Sequence, residues 1–229
     1  MSLPNDTGIS KGIDNSKLGF IHRFIPASAT GPKKNRDKLF VLLLLHGTGG
    51  NEDDLIPVGK MLCQDCALLS PRGMVTENGM PRFFRRLAEG IFDIEDLKYR
   101  THELADFIKK ASRYYGFDLN KTVAVGFSNG GNIAASMILL RPEVLSGAIL
   151  FRAMVPLEPE SLPDLSNKQI LLSEGLHDPI VSKHEAERLF DIFKKSGSKI
   201  TLKWQKSGHN LTEEDIITAK EWLTSSFQN

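Results

Sequence analysis

The most hydrophobic run in the chain is Leu39 to Leu45, without a polar interruption. It is too short to cross a membrane and is bounded by His46–Gly47, so it reads as a central strand buried on both faces. Leu18 to Ile25 alternates imperfectly, as an edge strand does. Ala67–Ser70, Thr122–Val125, Leu145–Phe151, Lys168–Ser173 and Ile200–Trp204 read as the remaining strands. Helical periods lie between them. Asn51 and Asp54 can cap a helix running to about Leu62. Ile94 to Tyr115 puts Leu97, Leu104, Ile108 and Ala111 near one stripe, and Gly116 supplies a stop. Asn129 to about Leu140 ends before Pro142. Ser182 with Glu185 makes a capping box for a helix to Lys195, closed by Gly197, and Thr212 with Asp215 makes another for the final helix.

Strand and helix therefore alternate to the end. That order predicts an α/β fold, a doubly wound and mostly parallel sheet with helices on both faces. Residues 1–17 are polar and Gly-rich and read as a loose N-terminal segment, and Ser28 to Lys38 as a polar turn or hairpin. No linker, repeat or low-complexity tract divides residues 18–229, which are expected to form a single domain. Two stretches lack a period: Met74 to Asp93, and the Pro-rich loop from Arg152 to Ser166. Long irregular segments in such domains often carry function.

Composition narrows the partners more than the fold. The 229 residues are 41% hydrophobic and 25% charged, with a formal net charge of +1. Nothing in that balance favours nucleic acid or a membrane surface. No signal-like stretch opens the chain and no run suits stable membrane insertion, so a cytoplasmic location is the expectation. The two cysteines, Cys63 and Cys66, are spaced Cys-x-x-Cys but lie at a helix end entering a strand, whereas a thioredoxin-like pair opens a helix. Zinc would need two further ligands, which no clustered His or Cys supplies. Two free thiols in a reducing compartment are expected, with no metal site.

Chemistry concentrates at the expected carboxyl ends of the strands, where doubly wound sheets bind ligands. Gly126–Phe127–Ser128–Asn129–Gly130 follows a β-branched strand and opens a helix. This is the arrangement that lifts a serine hydroxyl above a sheet on a strained elbow, with Gly126 and Gly130 letting strand and helix pass closely. A serine hydroxyl needs a base, and the base an orienting carboxylate. Asp178, in Gly175-x-x-Asp178-Pro179, and His209, in Gly208–His209–Asn210, supply them in the chain order nucleophile, acid, base. Asp178 also suits a plain Asp-Pro turn, Glu174 is the competing acid, and His177 the competing base. The backbone N–H of Asn129 is the natural first oxyanion donor, and that of Thr48, in His46–Gly47–Thr48–Gly49–Gly50–Asn51, the second. His46 reads as a packing or loop-bracing residue. The same Gly-rich loop matches no nucleotide fingerprint, because the Lys-Ser/Thr of a phosphate loop is missing. Arg82, Arg85 and Arg86 either face the cleft and bind an acidic group or brace their loop against Glu77, Glu89 or Asp93.

Four segments carry a resemblance: His46 to Leu55, Arg72 to Asp93, Gly126 to Ala135, and Gly208–His209. From about Leu18 onward the chain resembles the α/β-hydrolases of the carboxylesterase, phospholipase and acyl-thioesterase family, and within it the MhqD-like bacterial hydrolases. The resemblance implies a hydrolase without a cap domain that cleaves small esters, aryl or short-acyl, through an acyl-enzyme, with no cofactor. It implies a groove built partly by the Met74–Asp93 loop, with Met80, Phe83, Phe84, Ile91 and Phe92 as lining candidates. Related carboxylesterases often read Trp-Phe-Asp there, where this chain has Ile91–Phe92–Asp93. Met154 and Val155 of the Pro-rich loop are candidates for another wall. An acyl-thioesterase or lysophospholipase would use the same residues, and a noncatalytic binding module on this fold is the alternative from another class. The resemblance also allows a homodimer.

Overall fold

A computed structural model describes residues 18–28 and 40–227. The expected loose terminus, most of the polar turn after Ser28 and Leu39 lie outside them. In the first half the elements are β1 (His22–Ile25), β2 (Val41–Leu45), α1 (Ile56–Leu62), β3 (Ala67–Pro71), β4 (Val75–Glu77), β5 (Met80–Arg82), β6 (Arg86–Ala88), β7 (Ile91–Phe92) and α2 (Ile94–Tyr115). The second half adds β8 (Thr122–Phe127), α3 (Asn129–Leu140), β9 (Gly147–Phe151), β10 (Gln169–Gly175), α4 (Lys183–Lys195), β11 (Lys199–Gln205) and α5 (Glu213–Phe227).

Seven strands form the central sheet in the order β1-β3-β2-β8-β9-β10-β11. All its pairings are parallel except β1 with β3, which caps the edge in antiparallel register. The expected mixed, mostly parallel sheet is the one observed. Its inner strands β2, β3, β8 and β9 are apolar on both sides because both sides are covered. In β2, Leu43 and Leu45 enter the core beneath α2, α3 and α4, while Leu42 and Leu44 enter the core beneath α1 and α5. None of these four leucines is accessible. Truncating one to Ala would cost about 2–5 kcal/mol. The chain begins its parallel sheet in the middle at β2, moves outward to β3, and returns to the other side at β8. The direction therefore switches between β2 and β8, and the loops at their carboxyl ends diverge to leave a crevice.

Helix α2 spans Ile94–Tyr115, with Asp93 accepting from the Asp96 N–H and Gly116 in the left-handed region at φ 74°. Helix α1 departs from expectation. Neither Asn51 nor Asp54 caps it; it starts at Ile56 with Pro57 in its first turn and no side-chain cap. Proline's fixed φ suits the first helical turn, and the Asn51 side chain instead closes a local turn by accepting from the Asp53 N–H at 2.8 Å. The free-thiol expectation also fails. A disulfide joins Cys63 and Cys66, whose Cα atoms are 5.4 Å apart where α1 turns into β3. Between Met74 and Asp93, two small hairpins replace the expected irregular loop, β4 with β5 and β6 with β7. Asn78 and Gly79, at φ 51° and 80°, form the two-residue turn of the first. Among the described residues no helix is long and apolar enough to cross a membrane.

Candidate active site

Strand β8 runs straight into α3, and Ser128 is the residue between them, at φ 53° and ψ −115°. A non-glycine residue at such angles is strained and persists only where its surroundings hold it. They do. The Ser128 N–H donates to the Phe151 carbonyl at 2.9 Å, and its own carbonyl accepts from the Asn132 N–H at 2.9 Å. A Cβ on Gly130 would collide with the Leu45 carbonyl, and one on Gly126 with the backbone of Gly130. The two glycines let α3 begin against the sheet, which leaves the Ser128 side chain at the crevice.

His209 arrives from the loop after β11. Its Nε2 lies 2.9 Å from the Ser128 Oγ, and its Nδ1 lies 2.8 Å from Oδ2 of Asp178, from the loop after β10. The Asp178 side chain is fully buried, and its other oxygen accepts from the N–H groups of Ile180 and Val181 at 2.7 and 3.0 Å. The rivals stand elsewhere. Glu174 Oε1 accepts from the Ala153 N–H at 2.8 Å, and His177 is exposed.

Arg152 holds the histidine loop in place, at φ 54° immediately after β9. Its Nε donates to the Gly208 carbonyl at 3.0 Å, and its Nη2 to Ser207 Oγ and the Asn210 carbonyl, both at 2.9 Å. Both terminal nitrogens also reach the Asp215 carboxylate, at 2.9 and 2.7 Å, in a fully buried pair. Asp215 opens α5, where it also accepts from Thr212 in the expected capping box. Burial pushes the Asp215 carboxyl upward, but hydrogen bonds from Arg152, Ser173 and Thr212 outweigh it and hold the group below its ordinary value. The buried Glu174 lies nearby with Oε2 unpartnered. Burial drives its carboxyl well above its ordinary value despite the Ala153 hydrogen bond and the charge of Arg152.

The second loop of the site follows β2. His46 braces it: Nε2 accepts from the Gly73 N–H at 2.9 Å, and Nδ1 donates to the Gly47 carbonyl at 2.7 Å. Burial keeps this imidazole below its ordinary pKa. Thr48 and Asn129 both line a cleft of about 220 Å³ beside Ser128 and His209. The Asn129 N–H lies in the first turn of α3, where no intrahelical carbonyl accepts. The Asn129 side chain turns the other way, accepting from the Phe83 N–H at 2.7 Å.

Of the pocket candidates, Phe92 and Met154 line this cleft. Phe83 and Phe84 are instead sealed in the core. The bond from the Phe83 N–H to Asn129 turns the chain inward there, and Phe84 packs edge-on behind Phe92 at 5.1 Å. Val155 packs against the same core, Ile91 is exposed, and the exposed Met80 lies over Gly49. All three arginines of the segment meet carboxylates: Arg82 and Arg86 share Glu77, and Arg85 reaches Asp93 and Asp96. Arg82 and Arg86 also line the cleft. Arg152, Asp215 and the side chain of Asn129 escape sequence reasoning because their partners lie far away in the chain. The Asn78–Gly79 dipeptide was the available signal for the first hairpin.

A parallel sheet with its switch point at a strained serine elbow defines an α/β-hydrolase. The chain belongs to the phospholipase/carboxylesterase family, whose pattern matches residues 30–227. It is 48% identical to the hydrolase MhqD of Bacillus subtilis over 182 residues, covering 80% of this chain and 91% of that one. The crystal structure of a Bacillus cereus carboxylesterase superimposes with a TM-score of 0.88 at 44% identity, covering 93% of this chain and 97% of the other. YahD, solved with malic acid, superimposes with a TM-score of 0.83 at 31% identity, covering 90% and 99%. Family and fold together support hydrolase activity of the esterase type.

Proposed function

We propose that this chain is a serine carboxylesterase that hydrolyses small carboxylic esters through an acyl-enzyme. The observation that carries the reading is the continuous hydrogen-bonded line from Ser128 Oγ through His209 to the buried Asp178. In this mechanism His209 takes the Ser128 proton as the oxygen attacks the ester carbonyl. Asp178 keeps the imidazole in the tautomer with its proton on Nδ1. The N–H groups of Thr48 and Asn129 hold the oxyanion of the tetrahedral intermediate. His209 then protonates the departing alcohol, and a water attacks the acyl-Ser128 ester by the same route, returning the free acid and Ser128.

The cleft of about 220 Å³ favours short acyl groups, since pockets for drug-sized ligands run about 300–1,000 Å³. The malic acid in the YahD structure also favours a small polar substrate over a long chain. A thioester is the second reading, because the same residues would cleave it and the acyl-protein thioesterase 1 of Cryptococcus neoformans is 26% identical over 82% of this chain.

Intact mass after treatment with a small fluorophosphonate tests the proposal. A single adduct is expected on the native protein and none on Ser128→Ala. Ester hydrolysis should fall to background in that variant. An adduct that survives the substitution, or a folded native protein that takes none, would sink the assignment.

A further inference from the structure

We infer that Arg82 and Arg86 form an anion subsite in the cleft, and that the substrates are small esters bearing a carboxylate of their own. This rests on the esterase reading of Ser128 and names the substrate class within it. Both arginines line the same cleft as Ser128 and His209. The Arg82 side chain is only 4% exposed. Its Nη1 donates to Thr48 Oγ1 at 2.7 Å, and its Nε is shared between the Phe84 carbonyl and Glu77, each at 3.2 Å. Its Nη2 meets no acceptor among the described residues. Arg86 turns Nε and Nη2 onto Glu77, and its Nη1 meets no acceptor among the described residues. One carboxylate thus serves two guanidiniums, and the cluster keeps a net positive charge.

Burying a guanidinium with half a counterion is costly, and the cost is recovered when an incoming carboxylate completes the pairing. A planar fork with free N–H groups is suited to that task in a way that a lysine is not. Burial, together with the charge of Arg86, weakens the hold of Arg82 on its own proton, and Glu77 only partly offsets this. The neighbouring Arg85 differs. It is 62% exposed and reaches two carboxylates, Asp93 and Asp96, the second of them shared with Arg100. The acidic side chain among the residues lining the cleft, Glu89, is on its exposed rim, where water and salt screen it. Because Arg82 is tied to Thr48, the proposed oxyanion donor, and the cleft is small, the anion it binds belongs to the same molecule as the ester.

The test uses two matched pairs, in which a carboxamide replaces the carboxylate. Ethyl hydrogen succinate against ethyl succinamate places the charge on the acyl side. O-acetyl-lactate against O-acetyl-lactamide places it on the alcohol side. The wild-type protein should prefer the charged member of at least one pair by about tenfold in kcat/KM, as charge-assisted hydrogen bonds allow. Arg82→Met and Arg86→Gln should each pull that ratio toward one, and the ratio rather than the absolute rate is the readout. Should Arg82→Met fail to fold, Arg86→Gln, at the more exposed end of the cluster, carries the test. A wild-type protein that labels at Ser128 yet cleaves the neutral members as well as the charged ones overturns the subsite and leaves the esterase standing. A preference that survives both substitutions also overturns it. Loss of labelling and of all ester cleavage would remove both readings together.

Discussion

Two ion-pair clusters built on the buried arginines Arg152 and Arg82 flank Ser128 and use their donors in opposite ways. Arg152, behind the histidine loop, reaches three backbone carbonyls, Ser207 and both oxygens of Asp215. Its charge is neutralised by a carboxylate of its own, and every nitrogen of the guanidinium is engaged. Arg82 and Arg86, in the opposite hairpin segment, share the single carboxylate of Glu77 and keep terminal nitrogens without acceptors among the described residues. A guanidinium whose donors are all spent inside the protein can only position; one with donors left over can still bind. The difference separates scaffold from specificity more sharply than burial does, since Arg82 and Arg152 are both buried.

The largest effect expected from this comparison is at Arg152. Arg152→Met leaves Asp215 buried without its counterion, which should cost about 3–5 kcal/mol in denaturant unfolding. It also frees the carbonyls of Gly208 and Asn210 that fix the His209 loop. A displacement of about 1 Å in a catalytic group can cost about a hundredfold in rate. In the folded fraction, kcat and the rate of fluorophosphonate labelling should therefore fall together while KM changes little. If stability drops but labelling per folded molecule does not, Arg152 supports only the fold and the positioning argument fails.

How much of this was legible beforehand divides along the same line. Ser128 follows β8 directly and Asp178 and His209 stand in the loops after β10 and β11, and parallel strands pointing one way bring those ends to one edge. The pattern of apolar runs is enough to see that. The extent of α2 was also visible, from its apolar stripe and from Gly116, which acts on the residues next to it. The Arg152–Asp215 pair was not, since those residues are 63 apart in the chain and each had a sufficient local reading, as loop arginine and as capping acid. The first hairpin had its Asn78–Gly79 signal, but Pro81 and Arg82 broke the alternation that would have marked a strand. Phe83 and Phe84 were pocket candidates because the family resemblance places their loop at the groove. Only the long-range bond to Asn129 turns them into the core.

A smaller effect, with a definite sign, sharpens the picture of Arg152. Because Asp215 takes both its terminal nitrogens, the adjacent Glu174 is left without an ion pair, and burial drives its carboxyl well above the ordinary value. A carboxyl whose folded pKa lies above the unfolded one binds more protons in the folded state. Its contribution is then most favourable below the unfolded value and is lost as pH rises toward the folded one. Glutamine does not titrate. Glu174→Gln should therefore be more stable than the wild type at neutral pH, by a margin that widens as pH rises from about 4.5. Melting temperatures of both proteins at pH 5, 6, 7 and 8 read this out. A margin that stays constant or narrows would mean that Arg152 shares its charge with Glu174, and the contrast between the two clusters would weaken.

The smallest effect on stability is expected at Arg86, and its smallness is the point. The Arg86–Glu77 pair joins the two small hairpins, with side chains 30% and 26% exposed. Water still reaches both groups, so the pair should be worth about 0–1 kcal/mol, as exposed ion pairs are. Removing Arg86 also returns Glu77 to Arg82 alone, which neutralises the charge left in the cleft wall. Arg86→Gln should thus unfold at nearly the wild-type denaturant concentration while losing its preference for a charged ester. Arg152→Met should do the reverse, losing stability and slowing the charged and neutral members of each pair by the same factor, so that the preference is kept. If Arg86→Gln instead unfolds as readily as Arg152→Met, the hairpin arginines are structural after all, and the distinction between spent and unspent donors does not hold in this protein.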